Sequence, residues 1–418
     1  MKHFQLATLA LAAFAGPAIA APPEAVADAA LKAAPVWDGH NDVPEQLRDR
    51  RQNLLDGFDF TDTRGTADPA KHMIAMQTDL KRLRQGKVGA QFWSVYVPAS
   101  LPEPQAIQAT LEQIDTAKRL VARYPGAMML ATSSAEVERA LKAGRIASLI
   151  GMEGGHSIGG SLAVLRQMYA LGARYMTLTH SKNNAWADSG TDKPVHNGLT
   201  DFGRKVVREM QRLGMLVDLS HVSEKTMMDT LDLAGAPVIF SHSNARALNG
   251  HPRNVPDTVL ARLKANGGIV MVNAYPPYVT QATWQWNARR AAEKGRLDVV
   301  FNGNPDDAAA ALAEWEKANP VPAGSISDVA DHIEHIRKLA GIDAVGLGGD
   351  FDGIEFAVKG MEDVSTYPAL FGELARRGWT QAELEKLSSR NMMRVFKAAE
   401  AYAAAHKGDA PLENATTF

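Results

Sequence analysis

Eight times along the 418-residue chain, a short apolar, β-branched run ends on a polar residue, and an amphipathic segment usually follows. The runs cover residues 36–42, 88–97, 145–153, 173–180, 215–221, 237–242, 268–273 and 344–350. Near-continuous apolar runs suit parallel strands buried on both faces. Helical segments are expected at 69–85, 104–123, 134–143, 161–171, 201–213, 223–234, 256–265 and 327–340. Several open on Ser, Asp or Pro, as helix starts do. Eight strand-then-helix units imply a single α/β domain over 21–418, built as a (β/α)8 TIM-type barrel. A final helix pair, 380–387 and 391–404, is expected on the outside. Residues 275–324, which contain Trp284, Trp286, Trp315 and an expected helix near 306–317, exceed an ordinary connection. They are read as an elaborated loop insertion over the barrel mouth after the seventh strand.

The net charge is -2, with acids and bases interspersed, which argues against a nucleic-acid partner. The chain has no cysteine, so disulfides, thiolate metal sites and a Cys nucleophile are excluded. Any metal falls to His and carboxylates. At the N-terminus, Lys2 and His3 precede an apolar run over 4–15, a Gly16-Pro17 break and Ala18-Ile19-Ala20. This pattern reads as a secretory signal peptide, residues 1–20, cut after Ala20, and the run is too short to span a bilayer. The mature chain is expected to be exported, periplasmic or secreted, without an integral membrane segment.

In a barrel the strand ends meet at one mouth, where active sites are built. His40 and Asp42 lie two apart on a strand, point to the same side and could bind a divalent metal. Glu153, His180, His221, His242 and Asp350 end later runs. Each has a plainer alternative: a salt-bridged loop Glu, a structural imidazole, a turn Asp. Convergence favours chemistry for Asp350, whereas Asp352 beside Gly353 suits a structural turn. Arg253 could fork onto a substrate carboxylate or cap the next helix. His156, His196 and His251 fall in loops, and His72, His332, His335 and His406 in expected helices or the tail, most of them solvated.

The motifs run in order: Trp37-Asp38-Gly39-His40-Asn41-Asp42, Gln91-Phe92-Trp93-Ser94-Val95-Tyr96, Glu153-Gly154-Gly155-His156 and Thr177-Leu178-Thr179-His180. Trp186-Ala187-Asp188, Asp218-Leu219-Ser220-His221-Val222-Ser223, Ser241-His242-Ser243, Arg253-Asn254-Val255-Pro256 and Gly348-Gly349-Asp350-Phe351-Asp352-Gly353 follow. This series resembles the membrane dipeptidase (renal dipeptidase) family of zinc peptidases, among the amidohydrolase-type barrels, over nearly all of the chain after residue 38. The resemblance implies two zinc ions, one on His40 and Asp42, the other on His221 and His242, bridged by Glu153. It implies that His180 contacts substrate and stabilises the tetrahedral intermediate, that Arg253 holds the dipeptide carboxylate, and that Asp350 is the acid/base. It also implies a homodimer and hydrolysis of L-Xaa-L-Xaa and L-Xaa-D-Xaa dipeptides by a metal-activated water. Other amide or lactam hydrolysis (aminoacylase, β-lactam) and a non-catalytic exported binding protein are the alternatives. The chain departs from the mammalian members in its longer 275–324 stretch, in Ser388-Ser389-Arg390-Asn391 where Gly-Gly-Asn is frequent, and in lacking their Cys residues and lipid-anchor signal.

Overall fold

The computed structural model describes residues 21–71 and 73–415. The expected signal peptide and His72 lie outside the described residues. Among the described residues, nine parallel strands form: β1 Val36–Asn41, β2 Val88–Tyr96, β3 Met128–Leu130, β4 Ile146–Glu153, β5 Ala173–Thr177, β6 Leu216–Asp218, β7 Ile239–Phe240, β8 Ile269–Val272 and β9 Val345–Leu347. β1 pairs with β9, and β2 pairs with β4 over seven registered positions from Ala90↔Ala147 to Tyr96↔Glu153. The β2–β4 pairing closes an eight-stranded barrel and leaves β3 outside it, paired to β4 alone among the described strands. The eight barrel strands lie within the eight apolar runs. β3 is an extra strand, too short for a period to mark it.

Two apolar layers result. Trp37, Phe92, Leu149, Tyr175, Ile239 and Met271 belong to one cluster, and the strand faces turned toward the helices belong to a larger one. The helix Asn391–Ala405 adds Met392, Val395, Phe396 and Ala399 to the first cluster, with Phe396 6.0 Å edge-on to Trp37. These positions share one helical face. The helix therefore covers the barrel floor, in contrast to the outer position expected for it. Its Asn391 donates to the carbonyls of Ile342 and Val345 (2.7 and 2.9 Å), which is the packing role of the Ser-Ser-Arg-Asn stretch.

Three other expectations need correction. The helix expected at 69–85 is confined to Leu80–Gln85. Upstream, Arg82 reaches back to Asp79, Thr63 and the Met76 carbonyl and holds an irregular loop. The insertion after the seventh barrel strand carries the helix expected near 306–317, at Pro305–Ala318, and two helices that were not expected, Pro276–Val279 and Gln281–Val300. Leu297, Ala308 and Leu312 give the two long helices a small core of their own, so most of their surface is polar and the apolar period is faint. His332, expected to be solvated, is 1% exposed. Its Nδ1 accepts from the Ala245 N–H (3.0 Å) and its Nε2 donates to the Val279 carbonyl (2.8 Å), joining the loop after β7 to the helix Pro276–Val279. His332→Leu strands both backbone groups and is expected to lower unfolding free energy by about 2–4 kcal/mol. A urea midpoint unchanged from the parent would refute that role.

Candidate metal-dependent active site

Helix starts just beyond the strand ends fix the loops that carry the polar residues. Ser223, two residues after His221, accepts from Thr226 N–H and caps Glu224–Leu233. Gly348 lies so close to β7 that a Cβ there would sit 1.9 Å from the Ser241 carbonyl, which seats Gly349 and Asp350 against the mouth. His221 and Asp350 take left-handed backbone, φ 68° and 64°, as does Asp352 at 68°. Such conformations cost a residue bearing a Cβ roughly 1–3 kcal/mol and cluster at functional sites.

The structure brings His40, Asp42, Glu153, His180, His221, His242, Arg253 and Asp350 together around one cavity of about 440 Å³, with His40 buried directly behind its wall. Glu153 is the centre. Its Oε2 lies 3.5 Å from His40 Nε2 and accepts from Ser94 Oγ at 3.2 Å. Its Oε1 faces the other way, 2.9 Å from His221 Nε2, 3.3 Å from His242 Nε2 and 3.7 Å from His180 Nε2. Asp42 Oδ2 lies 3.2 Å from His40 Nε2, and Asp350 Oδ1 lies 4.0 Å from it.

These spacings suit metal ligands. Donor atoms around a tetrahedral zinc, with bonds of about 2.0–2.1 Å, stand roughly 3.3 Å apart. Beyond the ion-pair contact of His40 Nε2 with Asp42 Oδ2, neither His40 Nε2 nor Asp42 Oδ1, both buried, makes a hydrogen bond among the described residues, a costly state that a cation would relieve. Three ligand groupings recur: His40-Glu153-His242, Glu153-His180-His221 and His40-Asp42-Asp350. The outer partners orient the rings. Tyr175 Oη lies 2.8 Å from His40 Nδ1, and Ser241 Oγ lies 2.8 Å from His242 Nδ1 while donating to Asp218 at 2.6 Å. Sequence reasoning missed Tyr175 and the Ser241–Asp218 pair. Tyr175 sits mid-strand, and only its register opposite β4 and β6 brings it beneath the mouth.

The electrostatics agree. Burial keeps His221 and His242 unprotonated, well below the usual imidazole range, and so available as ligands. Burial likewise pulls His180 down to about 4. Burial opposes ionisation of Glu153, yet His40, His180 and the hydrogen bonds from His221 and His242 hold its carboxyl well below the usual range. Burial, with Asp42 and Glu153 adding, pushes Asp350 well above it against His40 and Arg253. His40 is the exception among the imidazoles. Burial disfavours its charge, but Tyr175, Asp42 and Glu153 raise it well above normal, which marks the point where this site calls for positive charge.

Arg253, 2% exposed, donates to Ser243 Oγ and the His242 carbonyl, both at 3.0 Å, and lies 5.2 Å over the Tyr278 ring. Its Nε is buried and unpartnered among the described residues. Asp352 instead serves the fold: its Oδ1 accepts from Gln77 N–H at 2.8 Å. His156 Nε2 donates to the Val97 carbonyl at 3.2 Å, and His196 Nε2 to the Asn184 carbonyl at 2.8 Å. The cavity rim also carries His251, which the sequence placed in a loop, and Tyr275 and Tyr278, which did not stand out in the sequence.

A barrel mouth of this make belongs to the metal-dependent barrel hydrolases. Within that class, the chain belongs to the membrane dipeptidase family, peptidase family M19, whose pattern matches residues 24–409. It is 41% identical over 392 residues to an uncharacterized dipeptidase of Schizosaccharomyces pombe, covering 90% of this chain and 84% of that one. It is also 41% identical over 385 residues to Dipeptidase 3 of Rattus norvegicus, covering 91% and 68%. The fold matches a metallo peptidase from Rhodobacter sphaeroides, solved with a phosphinate mimic of the dipeptide L-Ala-D-Ala, with a TM-score of 0.71. Identity there is 24%, over 88% of this chain and 99% of that one. Among the described residues, no helix is long and apolar enough to cross a membrane. Tyr175→Phe is expected to weaken divalent-metal affinity about 10–100-fold with the fold intact, measured by competition with a chromogenic chelator. Unchanged affinity would remove Tyr175 from the support of His40.

Proposed function

We propose that the chain is a zinc dipeptidase in which His40, Asp42 and Glu153 would hold one ion and His221, His242 and Glu153 a second. The observation that carries this is the division of Glu153: its Oε2 faces His40 at 3.5 Å, and its Oε1 faces His221 and His242 at 2.9 and 3.3 Å. Imidazole and carboxylate donors without a thiolate suit zinc. When bound, the ions supply a nucleophilic water ionised near neutral pH and polarise the scissile carbonyl.

The side chains do the rest. Arg253 takes the carboxylate of the second residue, and its unfilled Nε gives one such donor. A clamp on the free carboxylate fixes the peptide bond over Glu153 and disfavours longer chains. Ser181 Oγ, 3.2 Å from His180 Nδ1, donates there and leaves Nε2–H to stabilise the developing oxyanion. Asp350, made a stronger base by its burial, accepts in its ionised form the proton of the attacking water and passes it to the leaving amine. The phosphinate mimic of L-Ala-D-Ala on the Rhodobacter sphaeroides fold relative supports including L,D-dipeptides. The proposal extends to a homodimer, supported by the family resemblance, and to export of one domain over 21–418, supported by the 1–20 pattern.

Elemental analysis of the purified protein is expected to find two zinc per chain, and full activity after complete metal removal would defeat the proposal. Asp350→Asn should keep both ions and lower kcat on L-Ala-L-Ala and L-Ala-D-Ala by about 10²–10⁴-fold. Turnover of N-acylated amino acids alone, in the same panel, would move the assignment to an aminoacylase.

A further inference from the structure

His251 stands two residues before Arg253 and reaches the same cavity. Its ring is held on three sides. Nδ1 accepts the Arg253 backbone N–H at 3.1 Å. Tyr278 and Trp284 pack against it, ring centroids 4.7 and 5.3 Å away. The loop beneath is stitched to the inserted helices: Asn249 donates to the Pro277 carbonyl, Asn254 to the Tyr278 carbonyl, and Gly250 N–H to Gln281 Oε1, at 2.8–3.0 Å. With Nδ1 engaged as an acceptor, the ring proton sits on Nε2. That N–H has no protein acceptor among the described residues, although every other contact of the ring is made. Burial, then Arg253 and Arg246, push the imidazole down to about 4, so this tautomer persists at neutral pH.

Two unfilled donors, His251 Nε2–H and Arg253 Nε–H, therefore belong to residues that line the same cavity. A carboxylate has two oxygens and about four acceptor positions, more than one guanidinium N–H fills. We propose that His251 is a second substrate-binding residue, donating from Nε2 to the carboxylate of the dipeptide's second residue beside Arg253. The inserted helices, through Tyr278 and Trp284, set the ring at the angle this requires. The proposal rests on the dipeptide assignment above and adds a residue and a role for the insertion to it.

The test compares the wild-type enzyme, His251→Phe and His251→Gln on L-Ala-L-Ala and on L-Ala-L-alaninamide, with zinc content and Tm measured in parallel. Phe keeps a flat ring between Tyr278 and Trp284 but has no donor; Gln restores one. On L-Ala-L-Ala, His251→Phe is expected to raise KM about tenfold, to leave kcat within about threefold, and to be rescued by Gln to within about threefold. Charge-assisted hydrogen bonds are about twice as strong as neutral ones, so the penalty should shrink to about threefold on the amide. Equal penalties on the two substrates, or a fall in kcat with KM unchanged, would overturn the proposal and leave the dipeptidase assignment standing. Failure of the wild-type enzyme to cleave either substrate would overturn both.

Discussion

Glu153 is an ionised carboxylate at the centre of a protein, where desolvation alone would force a proton onto it. Everything at the mouth is arranged so that this does not happen. His40 and Ser94 attend one oxygen, and His221, His242 and His180 attend the other. A strand end is well suited to hold such a group, because β4 is paired on both sides, to β2 and to β5, up to Glu153 itself. The backbone cannot yield, so the side chain stays where the imidazoles meet it.

Two further buried acids carry that rigidity outward. Asp38 accepts from His40 N–H, Gly349 N–H and the Tyr367 hydroxyl at 2.7–3.1 Å, fastening β1 to the loop after β9 and to an outer helix. Asp218 accepts from the Thr177, Ser241 and Ser220 groups at 2.5–3.1 Å, fastening β5, β6 and β7. Each carboxylate replaces several weak local preferences with one shared acceptor. The imidazoles of His40, His221 and His242 are thereby fixed to the same frame as Glu153.

The barrel was legible because strands buried on both faces need unbroken apolar runs, and a polar residue ending such a run stands out. His40, Glu153, His221, His242 and Asp350 were noticed for that reason. Tyr175, Ser94, Ser241 and Asp218 were not singled out, because a hydroxyl or carboxyl inside a strand motif looks the same whether it supports a ring or fills space. Only register across β4, β5, β6 and β7 distinguishes the cases. His332 and His251 failed differently. Their surroundings come from loops and helices distant in sequence, Ala245 and Val279 for one, Tyr278 and Trp284 for the other. The helix Gln281–Val300 was obscured by its own solvation, since an element that buries little shows little period.

The covered barrel floor has a consequence during synthesis. Trp37 enters the interior from β1, but Met392, Val395 and Phe396, which cover it, lie about 355 residues further along the chain. At about 5–20 residues per second, the ribosome needs roughly 18–71 s to pass from one to the other. Throughout that interval the floor lacks its helix, and for most of it β1 lacks β9, so the nascent chain presents unpaired strand edges and an open aromatic layer. The fold closes as a ring whose last segment completes what its first began. Its synthesis is therefore a long exposure to chaperones and misassembly, ended only when the helix Asn391–Ala405 docks.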